Sequence, residues 1–429
     1  LGVPAAKRCP TPVTAVLYGR AHPTRMSDIA VAGAGLAGLV AARHLAAAGH
    51  DVTVFEREST VGGRVRTDHE DGYTFDRGFQ VLFTAYPAVR RELDLDALSL
   101  RRFSPGATIA RPNSRAVLAD PFGDPRSAVE TLLNREVRTA DKLRLFTLQR
   151  ELRRTDAASI LDPSGPDQTI EDFLADYGFS TAFVERFAAP FYGGITLDRS
   201  LSTDARVFRY TFKMLAEGDT VVPAGGMGAI TEQLAETARA AGATIETDAP
   251  VADVTGEADG ATVTVDGETV EADAAVVATD PGSARDLSGV ETVPTEPKGC
   301  VTQYYTLPSY AKLDTGRKLL LNAVDARPNQ IAPLSAVTET YAPAGEQLLS
   351  ATYLGEETAS DEELAARTRE VLAQWYPERN VSDLELRHTD RIEFAQFAQP
   401  PGFRSSLPDV TDPEGQVFLA GDFTRWCAI

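Results

Sequence analysis

The stretch from Asp28 to Arg66 reads DIAVAGAGLAGLVAARHLAAAGHDVTVFERESTVGGRVR. It predicts a short apolar strand over Ile29–Ala32, a glycine-rich turn, an alanine-rich helix to about Ala48, and a second apolar strand over Val52–Phe55. A strand, a crossover helix and a second strand in this order form a parallel βαβ unit. The stretch therefore predicts an α/β fold with a parallel sheet covered by helices.

The turn between the first strand and the helix carries glycines at the spacing of a dinucleotide-binding motif. Gly33 permits the tight turn, Gly35 lets the backbone approach a pyrophosphate, and Gly38 lets the helix pack closely on the strand. The N–H groups of Leu36, Ala37 and Gly38 open the helix, where the backbone dipoles favour a phosphate. We therefore predict that these five residues bind a dinucleotide.

A carboxylate and a second glycine turn follow this motif. Glu56 stands at the end of the second strand, where an acid accepts hydrogen bonds from the adenosine ribose hydroxyls and would repel a 2′-phosphate. We include the adjacent Arg57 in the predicted site. Gly62-Gly63-Arg64 can then fold over the same pyrophosphate, where a guanidinium makes strong charge-assisted hydrogen bonds.

This order of strand, acid and Gly62-Gly63-Arg64 resembles the FAD-dependent amine oxidase superfamily, which also includes protoporphyrinogen oxidases and phytoene desaturase-like flavoproteins. The resemblance implies a Rossmann-like FAD-binding domain with an interleaved α+β substrate domain. It also implies that Gly78-Phe79-Gln80 approaches the isoalloxazine ring and that the backbone at Val251 contacts adenine. Gly421-Asp422 resembles the last cofactor segment of the family, in which the carboxylate binds a ribityl hydroxyl.

The same resemblance divides the chain into segments. We predict an FAD-binding domain formed by residues 26–100, 218–292 and 405–429, and a substrate-binding domain formed by residues 101–217 and 293–404. Residues 1–25 contain no Asp or Glu and precede Met26, so we expect a disordered extension before a natural start at Met26. In the family a helix follows the Gly-Asp segment. The chain ends at Ile429, and we expect weaker retention of FAD for that reason.

The catalytic and substrate-contacting residues are less well defined by the sequence. Tyr192, in a segment interpreted as an aromatic loop, and Trp426 are candidates for the substrate pocket, although aromatic residues also serve in packing. Some amine oxidases use a lysine to hold a water near flavin N5, and Lys298 is the candidate here, with a surface lysine as the alternative. No cysteine matches the covalent flavin attachment of the family, so we expect noncovalent FAD.

Composition restricts the partners and the setting. The 429 residues carry a net charge of −20, which argues against nucleic acid and anionic membrane surfaces. No apolar run is long enough to span a membrane. Three dispersed cysteines favour a reducing, cytoplasmic setting, and no metal-ligand spacing is present. Abundant Asp and Glu with only six lysines suggests adaptation to high salt.

The function predicted from these features is oxidation of a small organic substrate by hydride transfer to flavin N5. A phytoene desaturase-like enzyme acting on carotenoids or isoprenoids is the alternative, with peripheral membrane contact if the substrate is lipophilic. A non-redox flavin mutase and an inactive nucleotide-binding protein are further alternatives. The sequence does not identify the substrate, the electron acceptor or the oligomeric state.

Overall fold

A computed structural model describes residues 26–119 and 128–424. The predicted disordered extension over residues 1–25 and the pocket candidate Trp426 lie outside the described residues. The strands of the described part are β1 (Asp28–Ala32), β2 (Asp51–Phe55), β3 (Thr67–Glu70), β4 (Tyr73–Asp76), β5 (Leu82–Phe83), β6 (Leu100–Arg102), β7 (Ala107–Arg111), β8 (Ser114–Leu118), β9 (Thr220–Pro223), β10 (Thr244–Glu246), β11 (Val251–Gly256), β12 (Ala261–Val265), β13 (Glu268–Ala272), β14 (Ala274–Val277), β15 (Pro297–Pro308), β16 (Leu319–Asn322), β17 (Gln330–Ala332), β18 (Glu346–Leu354), β19 (Glu385–Phe397) and β20 (Val417–Leu419).

The α-helices of the described part are α1 (Leu36–Ala47), α2 (Pro87–Glu92), α3 (Ala128–Leu133), α4 (Thr139–Arg154), α5 (Ala157–Ile160), α6 (Ile170–Asp176), α7 (Thr181–Phe183), α8 (Ala189–Thr196), α9 (Ala205–Glu217), α10 (Gly228–Ala240), α11 (Pro281–Ser288), α12 (Leu334–Val337), α13 (Asp361–Trp375) and α14 (Phe403–Ser406). A π-helical turn over Val184–Ala188 joins α7 to α8. Within residues 26–119 and 128–424, none of the helices is both long and apolar enough to span a membrane.

The chain divides into two compact units. The first contains the described residues up to Val65, together with Ile230–Thr295 and the described residues from Ser406 onward. The second contains Arg66–Ala229 and Glu296–Ser405, apart from the segment that the structure does not describe.

A five-stranded parallel sheet with the order β10-β2-β1-β14-β20 forms the centre of the first unit. The strands β1 and β14 pair with Ile29 opposite Ala274, and all of Ala274–Val277 is buried. The apolar runs of the sequence form strands because both faces of such a sheet are covered. The chain passes from β1 to β2 on one side and β14 lies on the other, so the strand order reverses next to β1. Ligands bind outside the carboxyl ends of the strands at such a position.

A small antiparallel sheet of β11, β12 and β13 completes the strands of the first unit. Asp266 and Gly267 join β12 to β13, and both have positive φ angles, +51° and +81°. Positive φ at both central residues is the requirement of a two-residue hairpin turn, which Asp-Gly meets well. The structure therefore has the hairpin that an Asp-Gly dipeptide between two short strands predicts.

The second unit is built on a seven-stranded sheet with the order β19-β15-β18-β17-β16-β7-β8. Its pairs are antiparallel except for β16 with β7. One hydrophobic core includes Ile109 of β7 and aromatic residues such as Phe183 and Phe208, and a second includes Trp375 of α13 and Tyr305 of β15. Long strands and an insertion of helices in one compact unit are the α+β arrangement that the sequence predicted.

Residues 66–100, which we assigned to the cofactor domain, belong to the second unit. Hydrogen bonds hold the β3–β4 hairpin to later segments of the second unit. The Asp76 carboxylate accepts the Met227 N–H and the Tyr341 hydroxyl. The assignment of cofactor and substrate roles to whole segments of the chain stays a prediction.

The predicted aromatic loop at Phe191–Gly194 is wrong, because these residues lie in α8. The π turn over Val184–Ala188 continues directly into α8, so Pro190 lies inside one continuous helical run. Strand β7 begins only at Ala107, because Pro105 lacks a backbone donor and Gly106 has a φ of +86°.

Candidate functional site

The first glycine turn lies at the carboxyl end of β1 in the first unit. Gly33 has a φ of +100°, and its N–H donates to the Phe55 carbonyl at the end of β2 (2.8 Å). A Cβ on Gly33 would lie 2.9 Å from the Ala278 carbonyl oxygen, and a Cβ on Gly38 would lie 2.0 Å from the Gly33 carbonyl oxygen. Both positions exclude any larger residue, because the helix and the strands approach each other through their backbones.

Gly35 differs from these two glycines. It is the N-cap residue of α1 in an extended conformation, and no side chain caps the helix there. A Cβ on Gly35 would have no heavy atom within 4 Å, so the space beside it is open. The N–H groups at the start of α1, at Leu36, Ala37 and Gly38, belong to a helix terminus that favours negative charge. This uncapped terminus beside an open glycine fits a phosphate group.

The second glycine turn packs against the first. The Gly62 N–H donates to the Ala34 carbonyl (2.9 Å), and the Val65 N–H donates to the Gly62 carbonyl (3.0 Å). Gly63 has a φ of +58°, and a Cβ there would lie 3.5 Å from Gly35 Cα. The two turns that the sequence placed in one site are therefore adjacent.

The last predicted cofactor segment reaches the same place. Strand β20 pairs with β14, and Asp422 follows it, so that Asp422 Oδ2 lies 2.8 Å from an Nη atom of Arg64. Both side chains are 37% exposed. Gly421 has no room for a side chain, since a Cβ would lie 2.3 Å from the ring of the fully buried Phe423. The Arg64 and Asp422 side chains therefore lie together beside the second glycine turn.

Glu56 is buried at the end of β2, and its carboxylate binds backbone rather than another side chain. Oε2 accepts the Ala34 N–H (2.8 Å) and Oε1 accepts the Glu58 N–H (3.1 Å). A carboxylate has about four acceptor positions, so it can still accept ribose hydroxyls. Arg57 is 62% exposed, and one of its Nη atoms lies 3.9 Å from Asp280.

The start of β11 lies close to Glu56. The Ala249 N–H donates to the Glu56 carbonyl (2.8 Å), and Val251 follows two residues later at the start of the strand. Predicted contacts for the ribose and for the adenine therefore lie side by side in the first unit. The predicted cofactor residues of this unit meet around the carboxyl ends of β1, β2 and β20.

Gly78, Phe79 and Gln80 lie in the second unit. Gly78 has a φ of +76°, its N–H donates to Asp390 Oδ2 (3.0 Å), and its carbonyl accepts the Tyr304 hydroxyl (3.2 Å). The Gln80 amide donates to the Arg77 carbonyl (2.9 Å). The half-buried Phe79 ring meets the Phe103 ring edge-on, with centroids 6.1 Å apart.

Sequence reasoning missed the buried carboxylate of Asp76, which supports this segment. Its oxygens accept the Thr67 hydroxyl (2.6 Å), the Met227 N–H (2.7 Å) and the Tyr341 hydroxyl (2.9 Å). Burial raises the pKa of Asp76, and these hydrogen bonds together with the nearby His69 offset only part of that rise. The signal in the sequence was an acid at the end of the otherwise uncharged strand Tyr73–Asp76, because a buried acid needs hydrogen-bond partners.

Lys298 lies at the start of β15 with its Nζ 3.7 Å from Asp198 Oδ2, and its side chain is 28% exposed. The Ser200 and Ser202 hydroxyls also donate to Asp198. Burial acts to raise the pKa of Asp198, but the serine hydrogen bonds and Lys298 outweigh it and the pKa is lowered. Lys298 therefore has a carboxylate partner, and its predicted role at a flavin stays a prediction.

Tyr192 is buried in the aromatic core of the second unit. Its ring meets the Phe208 ring edge-on at a centroid distance of 4.5 Å, and burial raises its pKa well above the usual value. This environment is that of a packing residue, and the proposed pocket role of Tyr192 stays a prediction. Within the described residues no group of three or more His, Cys, Asp or Glu could hold a metal ion.

Residues 36–429 match the profile of the family described as flavin containing amine oxidoreductase. The chain belongs to this family. A flavin amine oxidoreductase is a flavin-dependent oxidoreductase, which confirms the enzyme class predicted from the glycine turns and the Gly-Asp segment.

Two solved structures share the fold of this flavin amine oxidoreductase. One is an oxidoreductase from Methanosarcina mazei, with a TM-score of 0.71, 19% identity, and coverage of 92% of this chain and 95% of that chain. The other is a putrescine oxidase bound to putrescine, with a TM-score of 0.64, 20% identity, and coverage of 92% and 93%. The predicted fold class is confirmed by these similarities.

A curated relative is similar over a short region. A 4,4′-diapophytoene desaturase from Staphylococcus haemolyticus (strain JCSC1435) is 50% identical over 66 residues, which are 15% of this chain. The match covers 13% of that desaturase, so the similarity is local.

Proposed function

We propose that the protein binds FAD noncovalently and oxidises a small amine. The observation that carries this proposal is the convergence in the first unit of the open Gly35, the Gly62-Gly63 turn and the Arg64–Asp422 pair. Two glycine turns suit a diphosphate, and an acid at the end of β2 suits the ribose of a dinucleotide. These features favour FAD over a flavin mononucleotide, which lacks the second nucleotide.

Each residue then has a definite task toward the cofactor. The start of α1 and the Arg64 guanidinium supply positive charge for the pyrophosphate, and Glu56 accepts hydrogen bonds from ribose. Asp422 accepts a ribityl hydroxyl. When bound, FAD supplies a ring that accepts a hydride from the substrate.

Noncovalent attachment is supported by the cysteines. Cys300 is buried in the second unit, and burial raises the pKa of its thiol to about 11, so it is a poor nucleophile. Cys9 and Cys427 lie outside the described residues. The sparse cysteines also support a cytoplasmic setting. Acid precipitation of the purified protein should release all yellow colour into the supernatant as FAD, and colour retained in the pellet would contradict the proposal.

An amine is the favoured substrate because the family is one of amine oxidoreductases and the fold is similar to a putrescine oxidase. Lys298 would hold a water for the flavin, and Asp198 would keep its ammonium in place. Anaerobic addition of putrescine or longer polyamines should bleach the flavin absorbance. A flavin that is bound yet stays oxidised with every amine would exclude this substrate class.

A desaturase acting on an acyclic polyene is the second candidate. It is favoured by the local 50% identity to the diapophytoene desaturase. A phytoene-like polyene in detergent should then bleach the flavin, and polyamines should not. Protein that contains no flavin after expression with excess riboflavin, and that binds none on titration, would contradict both candidates.

A further inference from the structure

The segment Gly78–Gln80 is held by the seven-stranded sheet of the second unit. The Gly78 N–H donates to Asp390 on β19 (3.0 Å), and the Tyr304 hydroxyl on β15 shares its proton between the Asp76 carbonyl and the Gly78 carbonyl (3.2 Å to the latter). A Cβ on Gly78 would lie 2.8 Å from Ile392 Cδ1, so the backbone lies directly against β19. Both polar groups of the Gly78 backbone are thereby bound to neighbouring strands.

His388 extends this contact by one more residue. Its Nε2 lies 3.3 Å from Asp390 Oδ1, while Oδ2 of the same carboxylate accepts the Gly78 N–H. The imidazole is stacked on the Phe75 ring, with centroids 5.0 Å apart and planes inclined by 11°. The orientation of the imidazole is therefore set by packing. The Gly78 amide, the Asp390 carboxylate and the His388 imidazole form one chain of hydrogen bonds.

The charges around His388 favour its protonated form. The hydrogen bond to Asp390 raises the pKa of His388, burial opposes this, and the charges of Asp390, Asp68 and Glu70 raise it further. Asp390 lies on the same strand as His388, and Asp68 and Glu70 come from β3. The Tyr304 phenol, paired with His388 across β15 and β19, is a further titratable neighbour, and burial raises its pKa well above the usual range. The Cys300 thiol on β15 also interacts with Asp390, and burial raises its pKa to about 11.

We infer that the His388–Asp390 pair holds the backbone at Gly78 in place, and that it does so most firmly while His388 is protonated. A protonated imidazole strengthens the hydrogen bond to Asp390, because a positive charge on the donor adds to the negative charge on the acceptor. Loss of the proton from His388 weakens its hydrogen bond to Asp390 without breaking it, since a neutral imidazole still donates one hydrogen bond.

Hydrogen exchange of the cofactor-free protein tests the pair without any flavin. After correction for the intrinsic exchange rate, protection of the amides in the 78–80 peptide should fall about fivefold from pH 6 to pH 9 in the wild type. His388→Gln keeps a donor but cannot titrate, so its protection should be low and independent of pH. Asp390→Asn should behave in the same way. His69→Gln is the control, because His69 contacts the Thr74 hydroxyl rather than Asp390.

Wild-type protection that does not change with pH, or equal losses in the two histidine variants, would overturn the inference. A protein that binds no FAD at any pH would instead overturn the proposed function, and the exchange measurement would still decide the role of the pair.

Discussion

The Arg64 guanidinium and the Asp422 carboxylate lie 358 positions apart in the chain and form an ion pair with an N–O distance of 2.8 Å. Arg64 follows the second glycine turn, and Asp422 follows the edge strand β20. Both side chains are 37% exposed, so the pair contributes at most about 1 kcal/mol to the free energy of unfolding. Its main effect is to place a cation and an anion together beside two glycine turns.

Replacing Asp422 or Arg64 by alanine should weaken FAD binding about tenfold or more, because each change removes a hydrogen bond that involves a charged group. The melting temperature of the cofactor-free protein should change by only about 2 °C or less. Fluorescence titration with FAD and thermal melts provide the two measurements. Arg239→Ala, an exposed arginine at the end of α10, should retain wild-type affinity. If the alanine variants lose stability but keep their affinity for FAD, the Arg64–Asp422 pair serves only to stabilise the fold.

Gly35 and Gly38 should respond to alanine in opposite ways. Gly35→Ala places a methyl group in open space at an ordinary φ of −77°, so the cofactor-free protein should keep its stability while FAD affinity falls about tenfold or more. Gly38→Ala forces a Cβ to 2.0 Å from the Gly33 carbonyl oxygen and should destabilise the protein by about 3 kcal/mol or more. Urea unfolding and FAD titration distinguish the two effects. Unchanged affinity in Gly35→Ala would show that no ligand approaches this backbone.

Asp76→Asn should lower the free energy of unfolding by about 2 kcal/mol at pH 7, because an amide nitrogen cannot accept from the groups that now donate to Asp76. The raised pKa of Asp76 means that the folded state takes up a proton more readily than the unfolded state. The stability from this group is fully present below its unfolded pKa, near 3.9, and is lost as pH rises through the folded pKa. The difference between wild type and variant should therefore be larger at pH 4.5 than at pH 7. Urea unfolding at both values measures it, and a smaller difference at pH 4.5 would contradict the prediction.

Lys298→Met should slow flavin reduction by amine or flavin reoxidation about a hundredfold if Lys298 holds a reacting water. The melting temperature should change little, since the ammonium of the partly exposed Lys298 is 3.7 Å from its partner. Stopped-flow absorbance measures each half-reaction. The exposed Lys312→Met is the matched control, and equal rates in the two variants would make Lys298 a structural lysine.

High salt should stabilise the protein. The net charge of −20 causes self-repulsion, and the screening length falls from about 10 Å at 0.1 M salt to about 3 Å at 1 M. The melting temperature should rise by about 5 °C between 0.1 M and 2 M KCl. Sorbitol at the same osmolality controls for general solute effects. An unchanged melting temperature in KCl would remove the hypothesis of adaptation to salt.

Local elements were predictable because their causes lie within a few residues. The sequence predicts helices over Thr139–Arg154 and Asp361–Trp375, and α4 and α13 occupy these ranges. Of the apolar side predicted for α4, Leu148 and Leu152 are buried, whereas Leu143 and Phe146 are exposed. At the start of α13, the Ser360 hydroxyl accepts the Glu363 N–H and caps the helix. The sequence also predicts that the helix α6 (Ile170–Asp176) stops at Gly178, because glycine readily adopts the positive φ that follows a helix, +89° here. The helix through Phe191–Gly194 was missed because a π turn leaves no such local signal.

The sequence by itself determined the cofactor class, since two glycine turns, an acid and a terminal Gly-Asp each express a local backbone requirement. Only the tertiary structure decided which side chains meet. The pairing of Arg64 with Asp422, of Asp76 with Tyr341 and of Asp390 with Gly78 joins segments that are distant in the chain. Such pairs depend on strand order and register, and on burial that makes an unpartnered carboxylate costly. Residue types and their spacing along one chain do not carry that information.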